Sequence, residues 1–224
     1  MLLIILLCLL IILLFLMILG TRDKFANNEG PKICILLTMY IGPEELGRRS
    51  MYETSVLNWL SKTSFEIFVV ESSGQYIRQN HPRLHQYSFQ QESKFVDYDP
   101  CFQERNSILK AFDYFNGFSK FDIIFKITGK YFLETLELVN IPKDTQLILQ
   151  NLTQNQGQNV EIVGFSKDTL VEIVSSIGQG QTDKNFENTI INAIKSSKYK
   201  IYRLGPLKVN PIVAAGDGRL LEYL

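Results

Sequence analysis

The sequence has no surplus of either charge: 23 Lys plus Arg stand against 23 Asp plus Glu. No field of one sign therefore argues for nucleic acid as a partner. Cysteine is scarce. Cys8 lies in an apolar N-terminal run, Cys34 in a predicted core strand and Cys101 alone, which is neither a disulfide framework nor a zinc pattern. The only histidines, His81 and His85, are spaced i, i+4, but Pro82 sits between them. Proline breaks the helical turn that a metal-binding pair would need, so both are read as surface residues and no metal ligands are assigned. No Lys or Arg precedes the apolar run and no A-x-A site follows it, so the pattern of a cleaved signal peptide is missing.

What is present begins with that run. Residues 1–19 are apolar throughout, close to the roughly 20 residues that span a bilayer as a helix. They are read as one transmembrane signal-anchor, with a cleaved signal peptide and a buried helix as the alternatives. Arg22 and Lys24 just beyond it lean toward a cytoplasmic domain by the positive-inside rule, and Asp23 weakens that lean. Residues 20–31 form a polar stalk ending in Gly30-Pro31. Residues 32–224 have the length of one ordinary domain. Asn151-Leu152-Thr153 is a glycosylation sequon, which matters only if the domain is lumenal.

Within that domain, apolar β-type runs alternate with amphipathic helical segments. Strands are predicted over 32–38, 65–70, 87–89, 121–127, 145–150, 160–165 and 199–204. Helices are predicted over 44–60, 101–116, 167–177 and from Asp183 to about Ser197. The alternation specifies an α/β fold with a mostly parallel sheet. The pivotal stretch is 121–133, FDIIFKITGKYFL. It starts as a strand covered on both faces and ends in Lys126, Thr128, Gly129, Lys130 and Tyr131. In an open α/β sheet, ligands bind at the carboxyl ends of the strands. Two cations placed there point to an anionic ligand such as a diphosphate.

Other candidates gather around that edge. Glu71 and Ser72 end the second strand in an acidic, Ser/Gly turn, which suits a ribose hydroxyl or a base N–H and equally suits a plain exposed turn. Arg105 falls on the apolar stripe of its helix with Phe102 and Leu109, and needs either a ligand phosphate or a core carboxylate. Asp97-Tyr98-Asp99 has metal-holding spacing, but Asp99 before Pro100 reads more readily as a helix cap. Glu187 sits on an apolar stripe in a first helical turn beside a Gly-rich loop. That setting suits a general base, and a helix-dipole partner is the plainer alternative.

Taken together, the VVESSG turn, the ERNSILKA helix, the IFKITGKYFL strand, a VGFSKDTL segment and an FENTI helix resemble a group of nucleotide-diphospho-sugar glycosyltransferases of the GT-A type, found among algae, protists and large DNA viruses. The resemblance is most specific at Glu104-Arg105-Asn106-Ser107 and at the KITGKY string of residues 126–131. It implies a Rossmann-like GT-A fold that binds a nucleotide-sugar donor and transfers the sugar to a hydroxyl of a glycan or glycoprotein acceptor. It implies donor contacts from Glu71, Ser72, Arg105, Lys126, Thr128, Gly129, Lys130 and Tyr131, and a base at Glu187. KITGKY stands where many relatives carry D-x-D, so dependence on a divalent cation, Mn2+ or Mg2+, is left open, and Lys126 and Lys130 would neutralise the leaving diphosphate. With the anchor, the implied address is a single-pass type II membrane protein of the Golgi or ER, or a cytoplasmic-facing host membrane if the chain is viral. The alternative is a non-catalytic anchored domain of the same fold that binds a glycan or protein partner. A nucleotidyltransferase would need a Gly-rich, basic loop after the first strand, and residues 39–43 (MYIGP) do not provide one.

Overall fold

A computed structural model describes residues 30–42, 46–92, 100–150, 160–177, 186–196, 198–214 and 220–223. The proposed anchor, most of the stalk, Asp97-Tyr98-Asp99, the sequon at Asn151 and the loop at 178–183 lie outside the described residues. Among the described residues, no helix is long and apolar enough to cross a membrane.

The β-branched and aromatic runs form the strands that their composition suggests. These are β1 (Ile33–Met39), β2 (Glu66–Glu71), β3 (Leu84–Ser88), β4 (Ile123–Thr128), β5 (Leu147–Gln150), β6 (Ile162–Ser166) and β7 (Ile201–Leu204). They make one seven-stranded sheet in the order β3-β2-β1-β4-β6-β5-β7. All neighbours run parallel except β6, which is antiparallel to both β4 and β5. Outside the predicted set, β8 (Lys208–Ala214) and β9 (Leu220–Tyr223) pair as an antiparallel ribbon.

Side chains alternate across each strand, so each strand feeds two cores. Ile35, Leu37 and Met39 of β1 and Ile123, Phe125 and Ile127 of β4 face α1 (Leu46–Lys62), meeting Tyr52, Val56 and Trp59. Cys34, Leu36 and Ile124 face the other way. There they meet α2 (Pro100–Tyr114), α3 (Lys167–Ser176) and α4 (Phe186–Lys195) through Ile108, Ala111, Ile173 and Ile190. Gly164 of β6 leaves room where the Ile148 and Phe125 side chains cross; a Cβ there would lie 2.8 Å from Ile148. Ser166 takes the N-cap position of α3 as expected, but its hydroxyl binds Thr169 Oγ1 at 2.8 Å rather than a backbone N–H.

The chain leaves β1 toward β2 and β3 on one side and returns to β4 on the other. The carboxyl ends of β1 and β4 therefore form a topological switch point, where two connections depart in opposite directions and leave a crevice.

Candidate functional site

A cleft of about 450 Å³ opens at that switch point. Its floor comes from β1 and β4, paired in register so that Thr38 lies beside Thr128. Arg48 and Tyr52 of α1 form one wall, and Gln103, Glu104 and Ser107 of α2 form another. Glu161, just before β6, and Glu187, in the first turn of α4, complete it.

Lys126 is the central charge. Alternation along β4 turns it toward α2, into a layer that is otherwise apolar, and it is 1% exposed. A lone buried ammonium would be costly, so it requires partners. Its Nζ lies 2.6 Å from Glu104 Oε1, donates to the Val160 carbonyl at 2.9 Å and sits 5.1 Å over the Phe186 ring. The Thr38 hydroxyl donates to the same Glu104 oxygen at 3.1 Å. Cation, carboxylate and hydroxyl thus form one polar unit spanning β1, β4 and α2. Among the described residues, the cleft carries three carboxylates, Glu104, Glu161 and Glu187, against two cations, Lys126 and Arg48, and so is less basic than Lys126 and Lys130 led one to expect.

Ser72, Lys126, Thr128 and Glu187 line the cleft. Glu187 is half-buried there, on the helical turn where the sequence put it. The remaining candidates sit elsewhere, each for a physical reason. Glu71 is 1% exposed and its carboxylate is saturated from within. Oε1 accepts from Ile41 N at 2.9 Å and Ser73 Oγ at 2.6 Å, and Oε2 from Gln75 N at 2.7 Å and Ser88 Oγ at 3.2 Å. It organises the turns that leave β1 and β2, and presents no oxygen to a ribose. Arg105 points away from the cleft and donates to the carbonyls of Val174 and Ser175 at the end of α3, groups that helix termini leave unpaired. Gly129 is a close-packing position: a Cβ would lie 2.4 Å from Met39 Cγ and 3.0 Å from the Thr38 carbonyl. The Lys130 ammonium lies 4.9 Å over the Tyr131 ring and is not part of the cleft lining. Tyr131 is fully buried, and its carbonyl accepts from Ser55 and from the Trp59 indole, each at 2.9 Å. Burial, with the Glu161 carboxylate nearby, pushes its phenol well above the usual tyrosine range.

Sequence reasoning missed Thr38, Arg48, Glu104 and Glu161. For Glu104 a signal existed. It lies three before Ser107 and four before Ile108, both buried, so it shares the stripe that faces the sheet. Arg105, one residue on, is turned by about 100° and meets α3 instead. Nothing in the local sequence marks Arg48 or Glu161.

Among the described residues, no group of three or more His, Cys, Asp or Glu side chains is placed to hold an ion. The described part of the cleft therefore does not fit a resident metal, and Asp97-Tyr98-Asp99 lies outside it.

Comparison with solved structures places the fold. The chain is similar to a glycosyltransferase involved in glycosylation of the major capsid of PBCV-1, with 11% identity and a TM-score of 0.52 over 77% of this chain and 81% of that one. It is also similar to a mannosyltransferase from Pyrobaculum calidifontis in complex with GDP-Man and Mn2+, with 11% identity and a TM-score of 0.50 over 80% of this chain and 56% of that one. No protein-family model matches, and no curated protein matches in sequence. The chain has a Rossmann-like fold of the GT-A kind, with a mostly parallel central sheet.

Proposed function

We propose that this protein is a membrane-anchored glycosyltransferase that moves a sugar from a nucleotide-diphospho-sugar to a hydroxyl of a glycan or glycoprotein. The observation that carries the reading is the cleft at the β1–β4 switch point, with a buried cation on its floor and a half-buried carboxylate, Glu187, on its wall. In this reading Thr38, Ser72 and Thr128 offer hydroxyls to the donor. Arg48 and Lys126 face its diphosphate. The Lys126 charge is partly offset by Glu104, so Arg48 is needed as a second cation to stabilise the leaving group. Glu187 accepts the proton of the acceptor hydroxyl. Glu71 acts through the backbone, holding at Ile41 N the turn that carries Tyr40 into the cleft. The apolar run at 1–19 serves as the anchor of a type II protein whose domain faces the Golgi or ER lumen.

The test is transfer or hydrolysis by the purified full-length chain with a panel of labelled UDP- and GDP-sugars, each with Mn2+ and with a chelator. Turnover that Glu187→Gln abolishes supports the reading. Absence of nucleotide binding, hydrolysis and transfer across the panel rules it out. Occupancy of the Asn151 sequon in the native host reads the side of the membrane, and an unmodified Asn151 removes support for a lumenal domain.

One observation favours a second reading, an anchored domain that binds a glycan or protein without turnover: Lys126 is already engaged by Glu104. Under that reading Glu187→Gln leaves ligand binding intact and there is no turnover to lose.

A further inference from the structure

The sheet carries a second recess, at the edge opposite the cleft. It has a volume of about 570 Å³, within the range of small-molecule pockets. Its walls are aromatic: Phe68, Phe115, Phe118 and Phe121, with Lys32 and Lys120 at the rim. Lys32 precedes β1, Phe121 precedes β4 and Glu66 opens β2, so the recess lies at the amino ends of the parallel strands.

Phe68 is the hub. Its ring meets Phe115, Phe118 and Phe121 edge-on at 4.9, 5.0 and 5.6 Å, and stacks on His85 at 4.6 Å. The wall is held by an unusual backbone. Asn116, Gly117 and Phe118 have φ of 53°, 61° and 51°, three left-handed residues in succession. Glycine adopts this freely and asparagine tolerates it, but a phenylalanine there is strained. Such strain persists only where surrounding packing fixes it, and it concentrates at ligand clamps and functional sites. Here it pins the Phe118 ring, 2% exposed, against Phe68.

The charges at the rim are uneven. Glu66 is engaged by His85 Nε2 at 2.7 Å. Neither Lys32 nor Lys120 makes a side-chain ion pair among the described residues. Both are solvent-exposed. An apolar aromatic wall with two exposed lysines at its mouth, where Glu66 is held by His85 and Asp122 by the Lys32 backbone N–H, suits a ligand with a flat apolar body and one anionic group.

We propose that this recess binds a small organic anion built on a planar ring, with the ring against the phenylalanines and the anionic group between Lys32 and Lys120. The site is independent of the sugar-transfer reading and stands or falls without it. Phenyl phosphate, titrated calorimetrically into the full-length chain, is the probe. Saturable binding is expected, weakened at least tenfold in the Lys32→Glu/Lys120→Glu double variant and unchanged in Glu187→Gln. Both lysines are exposed, and an unaltered circular dichroism spectrum confirms that the double variant folds. Inorganic phosphate, which lacks the ring, and benzyl alcohol, which lacks the charge, should each bind at least tenfold more weakly. Three results would each overturn the proposal: no saturable binding at millimolar phenyl phosphate, equal binding by the double variant, or equal binding of inorganic phosphate.

Discussion

At the carboxyl ends of β1 and β4 the chain gathers Thr38, Lys126, Thr128 and Glu104 around a polar cleft. At the amino ends of the same strands it gathers Phe68, Phe115, Phe118 and Phe121 around an aromatic recess. Both openings are shaped by one sheet, the cleft beside α2 and the recess beside the turn that follows it, yet one is richer in charge and the other in rings. The difference follows from strand direction. At the carboxyl edge the loops depart to either side of the switch point and open a crevice, so polar side chains there can be solvated or paired. At the amino edge the tight turn from α2 into β4 closes on itself through Phe115, Phe118 and Phe121, and aromatic packing stands beside a single Glu66–His85 contact. Each edge also keeps one weak acid neutral beside a carboxylate. Tyr131 lies near Glu161, and the Cys34 thiol, raised chiefly by burial, lies near Glu66.

The contrast can be broken in four places. The largest effect belongs to the carboxyl edge: Glu187→Gln should lower turnover by about 10²–10⁴-fold. It should shift the urea midpoint little, because the side chain is only half-buried and Gln nearly matches it in size. Full activity in this variant would remove the cleft as the seat of chemistry. Next, Phe118→Ala at the amino edge should cost about 3 kcal/mol of stability by denaturant titration, with the lost ring contacts partly offset by a smaller side chain at positive φ. Turnover of the molecules that remain folded should persist, which separates the two edges.

Lys126→Met comes third. It strands the Glu104 carboxylate, a change that costs about 3 kcal/mol when the partner is buried and somewhat less here because Glu104 is 25% exposed. Adding Glu104→Gln should recover part of that loss, since no unpaired charge is left behind. Failure of the double variant to recover would mean that the pair is not what holds the cleft floor. The smallest effect is on alkaline stability. An unfolded tyrosine ionises near its ordinary 10.0, while native Tyr131 holds its proton to higher pH. The unfolded state therefore releases a proton that the native state keeps, and stability falls as pH rises above that value, by at most about 1.4 kcal/mol per pH unit. Tyr131→Phe should flatten that slope. Cys34 behaves alike from its ordinary 9.0 upward, and Cys34→Ala should remove its share. A slope unchanged in both variants would show that neither group is held neutral.

Much of the fold was legible because its signals are local. The runs ICILLT, FEIFVV and IIFKIT are too apolar and β-branched to sit anywhere but inside a sheet, and all three do. The position of Glu187 at the cleft was legible because it falls on an apolar stripe in a first helical turn, while its part as a base is a proposal. Glu71 was misread because an acid at a strand end looks the same whether it faces a ligand or accepts backbone N–H groups from residues up to 30 positions away. Arg105 and Glu104 were exchanged for a similar reason: neighbouring residues on a helix face different partners, and only packing shows which partner is the sheet and which is α3. The β8–β9 ribbon escaped notice because Pro211 interrupts the period-2 pattern of β8.

The order of apolar runs alone determined that this chain folds as alternating strands and helices with a sheet covered on both faces, because burial of such runs does not depend on which partners they meet. Which charges share a cleft was decided by the tertiary structure. Lys126 came to face Glu104, and Glu71 its own turn, because strand alternation, sheet register and helix rotation set the distances on which electrostatics depends.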